Sequence, residues 1–597
     1  MTSSIHPVLI IFIGAILVAL LKGKWKGLVS VLTPILGLIN LISIDRANPD
    51  SYVMTMSLME LDLVVAKFDK LGMMFAYLFH FAAIITSIYS LHVRDNMQKY
   101  TGLLYAGSAI GAVLAGDLIT LFVFWELLAI TSVFQIFAKR TKSSSSAGIR
   151  YLLMHIFSGL LLLTGSAIIY NATESLEFRD LDLTSVGPWL IFMAFGIKCG
   201  FPLLHTWLTD SYPQATCAGT VYLCCFTTKT AVYAMCRAFP GTEILIYIGA
   251  AMAIFPIFYA VIENDLRRTL AFSMINQIGF MMVGIGLGTD TAMNGAVAHA
   301  FNDVFFKGLL FMGMGAVLYR TGTINGSQLG GLYKSMPWTT GLTIIGALAI
   351  SGFPLMCAFV SKSMIMVEAA KAGHTGIWLI LLFAAAGVLH HAGIKIPFFA
   401  FFAHDSGIRT REAPVSMLIA MGISALACII IGSFPNQTLY LLLPFGSPEN
   451  FYQPYDATHV ITQLQILFFS VAAFVVLMIT KLYPPETPSV NLDFDWTWRK
   501  GGKLFYMGAD RLLNVTNDKA HRFFIINFIG WIGQFTKSAP SRILVMFMTP
   551  IWKVRGLEEN ALKKKQQSFY EDARLGAFPI GRTAIFAVIL LGLLYVL

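Results

Sequence analysis

The chain is 597 residues long, 56% hydrophobic and only 12% charged, with a formal net charge of +10. Soluble domains carry about 25% charged residues, so this composition excludes a water-soluble fold. The basic surplus does not indicate nucleic acid, because lysine and arginine in a membrane protein report orientation.

A spanning helix needs about 20 mostly apolar residues to cross a hydrocarbon core ~30 Å thick. In chain order, runs that meet this test lie near 6–21, 27–43, 70–92, 101–116, 118–138, 151–170, 188–207, 214–236, 243–262, 270–288, 291–318, 339–356, 376–402, 413–434, 459–481 and 577–597. They predict an all-α polytopic membrane protein with about 14–16 transmembrane helices. Lipid offers backbone groups no partner, and runs this long lack the alternation of barrel strands.

The first run follows MTSSIHP without a basic flank and precedes Lys22, Lys24 and Lys26. A cleaved signal peptide has the opposite polarity, so this run reads as a first transmembrane helix. Counting spans in order puts Lys22/Lys24/Lys26, Arg94/Lys99, Lys139/Arg140/Lys142/Arg150 and Arg267/Arg268 on one side. The segments 44–69 and 171–186 fall on the other, which places the N-terminus outside and the basic loops in the cytoplasm. After about residue 482 the texture changes. The segment 483–575 reads as amphipathic interfacial helices and 576–597 as a final span.

Cys199, Cys217, Cys224, Cys225, Cys236, Cys357 and Cys428 sit in or beside apolar spans without metal-type pairing, so neither disulfides nor a metal site is expected. No Walker loop is present, and GIGLGTD at 284–290 lies at the end of a membrane helix, where it reads as packing or a turn. No cofactor is expected.

The informative residues are charges inside apolar runs, each costing about 2.5–3.5 kcal/mol at a helix centre. Glu126 is the only charge in LITLFVFWELLAITSVFQIFA, and Lys229 lies in VYLCCFTTKTAVYAMC. Both lie too deep for a side chain to snorkel to the headgroups. Lys198, Lys307 and Lys395 also sit in apolar runs. For Lys362, in AFVSKSMIM, snorkelling and a buried role weigh equally.

Lys198 precedes Pro202 and His205, while Lys395 precedes Pro397 and His404. Proline frees a carbonyl within a helix, so this shared grammar predicts two broken helices in two inverted repeats, 101–240 and 241–435. The repeats are flanked by N-terminal helices over 1–100 and further spans over 436–482. His299, Asp303 and Lys307 recur at i, i+4 and i+8, along one helix face. A proton wire suits this row better than a metal site, because histidine titrates near neutrality and a neighbouring cation opposes metal binding. Moving Glu126 toward or away from Lys198 would switch that lysine between holding and releasing a proton. His155 and His205 are secondary candidates.

The motifs FVFWELLAITS, GIKCGFPLLHTWLTDSYPQA, TTKTAVYAMCR, NDLRRTLAFSMINQIGFM, AHAFNDVFFKGLLFMGMG and LGGLYKSMP resemble, over roughly residues 70–435, the proton-conducting antiporter-like membrane subunits. That family includes the A-type and D-type subunits of Mrp-type Na⁺/H⁺ antiporters and the antiporter-like subunits of respiratory complex I. GIKIPFFAFFAHDSG and the long tail look most like the proteobacterial D-type subunits, which implies a bacterial cytoplasmic membrane. The resemblance implies that Glu126 is the fifth-helix glutamate, Lys198 its partner on the broken seventh helix and Lys229 the central lysine of the eighth. His299 and Lys307 would continue the axis, and Lys395 would be the terminal group on a broken twelfth. Asp303 departs from many relatives and is either a relay group or an acquired cation ligand.

The implied function is proton translocation within a monovalent cation/proton antiporter complex, with other antiporter subunits as partners and no enzymatic activity of its own. Two other readings stand beside it: a pump driven by a redox or carbon-uptake complex, and a non-transporting scaffold.

Overall fold

The computed structural model describes residues 5–47, 52–58, 61–447, 451–483, 486–487, 491–572 and 580–596. The chain divides into two units, Met1–Asp493 and Phe494–Leu597.

The first unit opens with α1 (Pro7–Leu20) and α2 (Trp25–Ala47). An antiparallel hairpin of β1 (Tyr52–Leu58) and β2 (Leu61–Phe68) follows, bulged between Met54 and Thr55. Sequence patterning does not reveal this hairpin, because seven- and eight-residue strands with mixed burial leave little periodicity. Next come α3 (Lys70–Tyr89), α4 (Asn96–Leu114), α5 (Leu118–Phe137), α6 (Lys142–Thr173), α7 (Val186–Cys199), α8 (Thr206–Ser211), α9 (Cys217–Cys225) and α10 (Thr227–Ala238). Then follow α11 (Ile244–Ile262), α12 (Leu266–Leu287), α13 (Asp290–Thr321), α14 (Pro337–Ser351), α15 (Cys357–Lys371) and α16 (Thr375–Val388), with two later helices, Val415–Ser433 and Ala457–Ile479. Among the described residues, 10 helices are long and apolar enough to cross a membrane, and shorter apolar helices such as Val186–Cys199 and Pro337–Ser351 accompany them. The chain is an all-α, multi-pass membrane protein.

The series α4–α8 is matched element by element in α11–α15. Both α6 and α13 run for 32 residues, and α4 and α11 for 19. Asp117 caps the N-terminus of α5 and bridges to Glu177 beyond α6, while Asp265 caps α12 and bridges to Asn325 beyond α13. Each carboxylate accepts from two otherwise orphaned backbone N–H groups.

The two series start from opposite faces. On one face Lys26 donates to the Arg94 carbonyl, Arg140 pairs with Asp95, and Lys139 and Arg267 both donate to the Pro213 carbonyl. On the other face Gly116 donates to Val64, Phe178 to Gly116 and Leu181 to Ala238. The geometry thus separates the basic loops from segments 44–69 and 171–186, as charge counting predicts.

In the second unit, Asp495–His521 continues through a π-helical turn at Arg522–Phe528 into Ile529–Val554. None of the first two segments' side chains is buried. Glu559–Asp572 packs against Ile529–Val554 through Trp552 and Phe569, whose ring centroids lie 5.3 Å apart. A last helix spans Ile580–Val596.

Candidate proton axis

The break in the seventh span is built by GFPL at 200–203. Gly200 ends α7 in the left-handed conformation, with φ +77°, and Leu203 is left-handed again, with φ +71°. Gly200 tolerates this because it lacks a Cβ. The turn exposes carbonyls, and the Trp207 indole takes one by donating to Ile197 O at 2.8 Å. Lys198, in the last turn of α7, is sealed from solvent. Its ammonium donates to the Trp125 carbonyl at 2.7 Å and lies 4.2 Å from the centroid of the Trp125 ring. Glu126, the next residue on α5, is within electrostatic reach of Lys198, yet no ion pair joins them among the described residues. Its Oε1 is buried without a hydrogen-bond partner among the described residues.

His155 is buried between Tyr151 and Trp207, ring centroids 4.1 and 4.4 Å away, with neither nitrogen bonded among the described residues. A set of hydroxyls leads onward that sequence reasoning missed. Tyr151 meets Ser132 at 2.8 Å and Thr227 at 3.5 Å, and Thr227 meets Tyr105 at 2.5 Å. No spacing rule connects residues so far apart in the chain. The eighth span is itself interrupted at Phe226, where Tyr105 accepts from the freed Thr227 N–H.

Lys229, just past this interruption, donates to the Cys224 carbonyl at 3.0 Å and forms an ion pair with Asp303 of α13. Both side chains are fully buried. Asp303 is therefore the counter-charge of Lys229. His299, one turn earlier, is held by Ser361 at 2.8 Å and Gln277 at 3.0 Å, and Lys307 donates to Ser273 at 2.7 Å. The i, i+4, i+8 row does lie within one helix, but its members face different partners. Among the described residues no group of three His, Cys, Asp or Glu side chains is arranged to hold a metal ion.

The second break requires a correction. Lys395 is not on a broken helix: α16 runs on through π-helical turns at Leu389–Ile394 and Phe398–Phe402, which carry the backbone past Pro397 without an interruption. The break that matches Gly200–Leu203 is Gly352–Leu355, with φ +73° at Gly352 and +72° at Leu355. The signal was present in the sequence, since GFPL occurs at 200–203 and again at 352–355. Lys362 follows this second break and donates to Ile350 O at 2.8 Å. It is 4% exposed, a depth that does not fit snorkelling. Lys362 also lines a cavity of about 310 Å³ with Gln463, His459 and Asp456.

Lys395 is instead saturated. It donates to Ala260 O, Val261 O and Glu263 O at 3.3, 2.6 and 2.6 Å, and pairs with Glu486 at 2.9 Å. These carbonyls form the C-terminal end of α11, where a cation suits the helix dipole. His391, one turn before Lys395, is a further buried imidazole that sequence reading missed. His205, beyond the first break, bonds Asp493 at 3.1 Å, and His404 lies past the end of the helix that carries Lys395.

Residues 115–389 match the family model described as NADH:quinone oxidoreductase/Mrp antiporter, transmembrane. Hydrogenase-4 component B of Escherichia coli K12 is 26% identical over 416 residues, covering 61% of this chain and 62% of that protein. The D-type Na⁺/H⁺ antiporter subunit of Alkalihalophilus pseudofirmus is 32% identical over 279 residues, covering 43% of this chain and 56% of that one. The chain thus spans less than two thirds of either relative. A chain of the Mrp complex from Dietzia sp. shares the fold, with a TM-score of 0.68 at 19% identity, covering 78% of this chain and 100% of that one.

Proposed function

From the premise that this chain is related to the antiporter-like membrane subunits through residues 115–389, we propose that it is the proton-translocating subunit of a monovalent cation/proton antiporter complex. Na⁺ is the first cation to test, other antiporter subunits are its partners, and a bacterial cytoplasmic membrane is its location. The observation that carries this reading is the row Lys198, Lys229, Lys307 and Lys362. Four sealed ammonium groups on four different helices are each held by carbonyls, hydroxyls or one carboxylate. Burying a charge is costly, so a packed scaffold would favour apolar residues here.

Glu126 raises the proton affinity of Lys198 when close and lowers it when distant. The proton passes to Lys229, whose charge Asp303 balances, and on through Lys307 and His299 to Lys362. Lys362 replaces Lys395 as the terminal group because its single carbonyl bond and adjoining cavity leave the ammonium free to exchange. The two repeats 101–240 and 241–435 each supply one half of the path.

The test is cation-dependent proton flux in inverted vesicles of the native membrane, with Na⁺, K⁺ and Li⁺ in turn. Glu126→Gln and Lys362→Ala should reduce flux to background at normal protein abundance. Undiminished flux in both would refute the axis. The similarity to a hydrogenase-4 component favours a second reading, a redox-driven pump that uses the same lysines. Flux that needs an electron donor rather than a cation gradient would select it.

A further inference from the structure

Asp493 lies 288 residues after His205 in the chain, yet it is built into the first break. Its Oδ1 sits 3.1 Å from Nε2 of His205, and its Oδ2 accepts from the Thr209 hydroxyl at 3.2 Å. Both side chains are nearly enclosed, His205 at 4% exposure and Asp493 at 11%. With Asp493 ionised, its oxygens only accept hydrogen bonds, and Nε2 of His205 carries the ring proton. The opposite nitrogen, Nδ1, is then an acceptor, and it is buried without a partner among the described residues. The GFPL turn folds the His205 Cβ back over Gly200, two residues past Lys198; a Cβ on that glycine would lie 3.6 Å from it.

The location adds direction. Arg268 donates to the Thr209 carbonyl and Arg267 to the Pro213 carbonyl, so the dyad lies on the face of the basic loops, the cytoplasmic face by charge. Phe255, whose ring centroid is 4.8 Å from that of His205, and Tyr259 face the dyad, and Asn491, two residues before Asp493, and Arg268 both engage Glu263.

We propose that Asp493 and His205 are the cytoplasmic proton port of the first repeat. In the inward direction Asp493 takes a proton from water and passes it to Nε2 of the Nδ1–H tautomer. The imidazolium, balanced by the new carboxylate, then releases its Nδ1 proton toward Lys198. Outward transfer runs the same two bonds in reverse, starting from the Nε2–H tautomer. Each passage moves one proton and leaves an ionised carboxylate beside a neutral imidazole, as before, with the ring proton on the opposite nitrogen; the ring exchanges tautomers before the next passage. This inference rests on the proposed axis, and its test separates the two.

With Asp493→Asn installed in the native membrane, flux should fall about tenfold or more at cytoplasmic pH 8 and recover toward the native level at pH 6, where protons reach His205 unaided. Asp493→Glu should retain most of the flux. A uniform loss at both pH values would mark Asp493 as a mere staple, and unchanged flux would remove it from the path; either overturns the proposal. The second measurement needs no transport: ¹⁵N-histidine spectra of the full chain in lipid nanodiscs should show His205 as the Nε2–H tautomer, with Asp493→Asn mixing the two forms. A His205 tautomer that Asp493→Asn leaves unchanged overturns the port whatever the flux. Loss of all flux in the native chain, with the expected tautomer, would instead count against the antiporter reading alone.

Discussion

Glu126 owes its place to a missing side chain. A Cβ on Gly159 of α6 would collide with the Glu126 carboxylate, so the glycine is the floor of its pocket. Gly159→Ala should push the carboxylate away from Lys198 and cut flux by roughly 100-fold, the scale of a 1 Å misplacement, while the chain still accumulates. Lys229 and Asp303 make a different kind of pair. Removing only the lysine strands a buried carboxylate, which costs about 3–5 kcal/mol. Lys229→Ala is therefore expected to lower abundance as well as flux, whereas Lys229→Met with Asp303→Leu should restore abundance and not flux; immunoblots alongside flux assays check both. The lysines and glutamate were legible in sequence because a charge in an apolar run stands out. Their partners were not, since Asp303 reaches Lys229 across a helix interface, and Tyr105, Tyr151 and Ser273 look like ordinary core.

Helices were legible because their apolar runs exceed what a soluble core needs, and the broken seventh helix because Pro202 punctuates it. The second break was misplaced for a physical reason. A proline signals a lost hydrogen bond, but a helix has two responses, to stop or to widen, and around Pro397 it widens into π turns. A left-handed glycine leaves no such choice. Gly352→Ala forces φ +73° on a residue with a Cβ, at a cost of about 1–2 kcal/mol. Thermal unfolding in detergent should shift downward for Gly352→Ala and similarly for Gly200→Ala, whereas Gly341→Ala, which meets open space in α14, should shift little.

The hairpin β1–β2 is tied to the rest of the first unit at its base, where Asp69 caps α3 and pairs with Arg237 at 2.7 Å. Burial pushes the Asp69 carboxyl up, but the Arg237 and Gly72 bonds outweigh it and hold the group below its ordinary value. A depressed acid contributes fully above its unfolded value, about 3.9, and loses that contribution as pH falls through the lower folded value. Protection of 52–68 from proteolysis should therefore persist to pH about 4 and disappear below it, whereas Asp69→Asn should weaken it at every pH. The place where the membrane unit stops was not legible: hydropathy falls after about 482, but Glu486, Asn491 and Asp493 hold Lys395, Glu263 and His205. Anyone shortening the gene or appending a reporter should treat those residues as a sewn hem. A stop codon after 482 leaves the Lys395 ammonium with carbonyls alone, while one after 493 keeps every stitch.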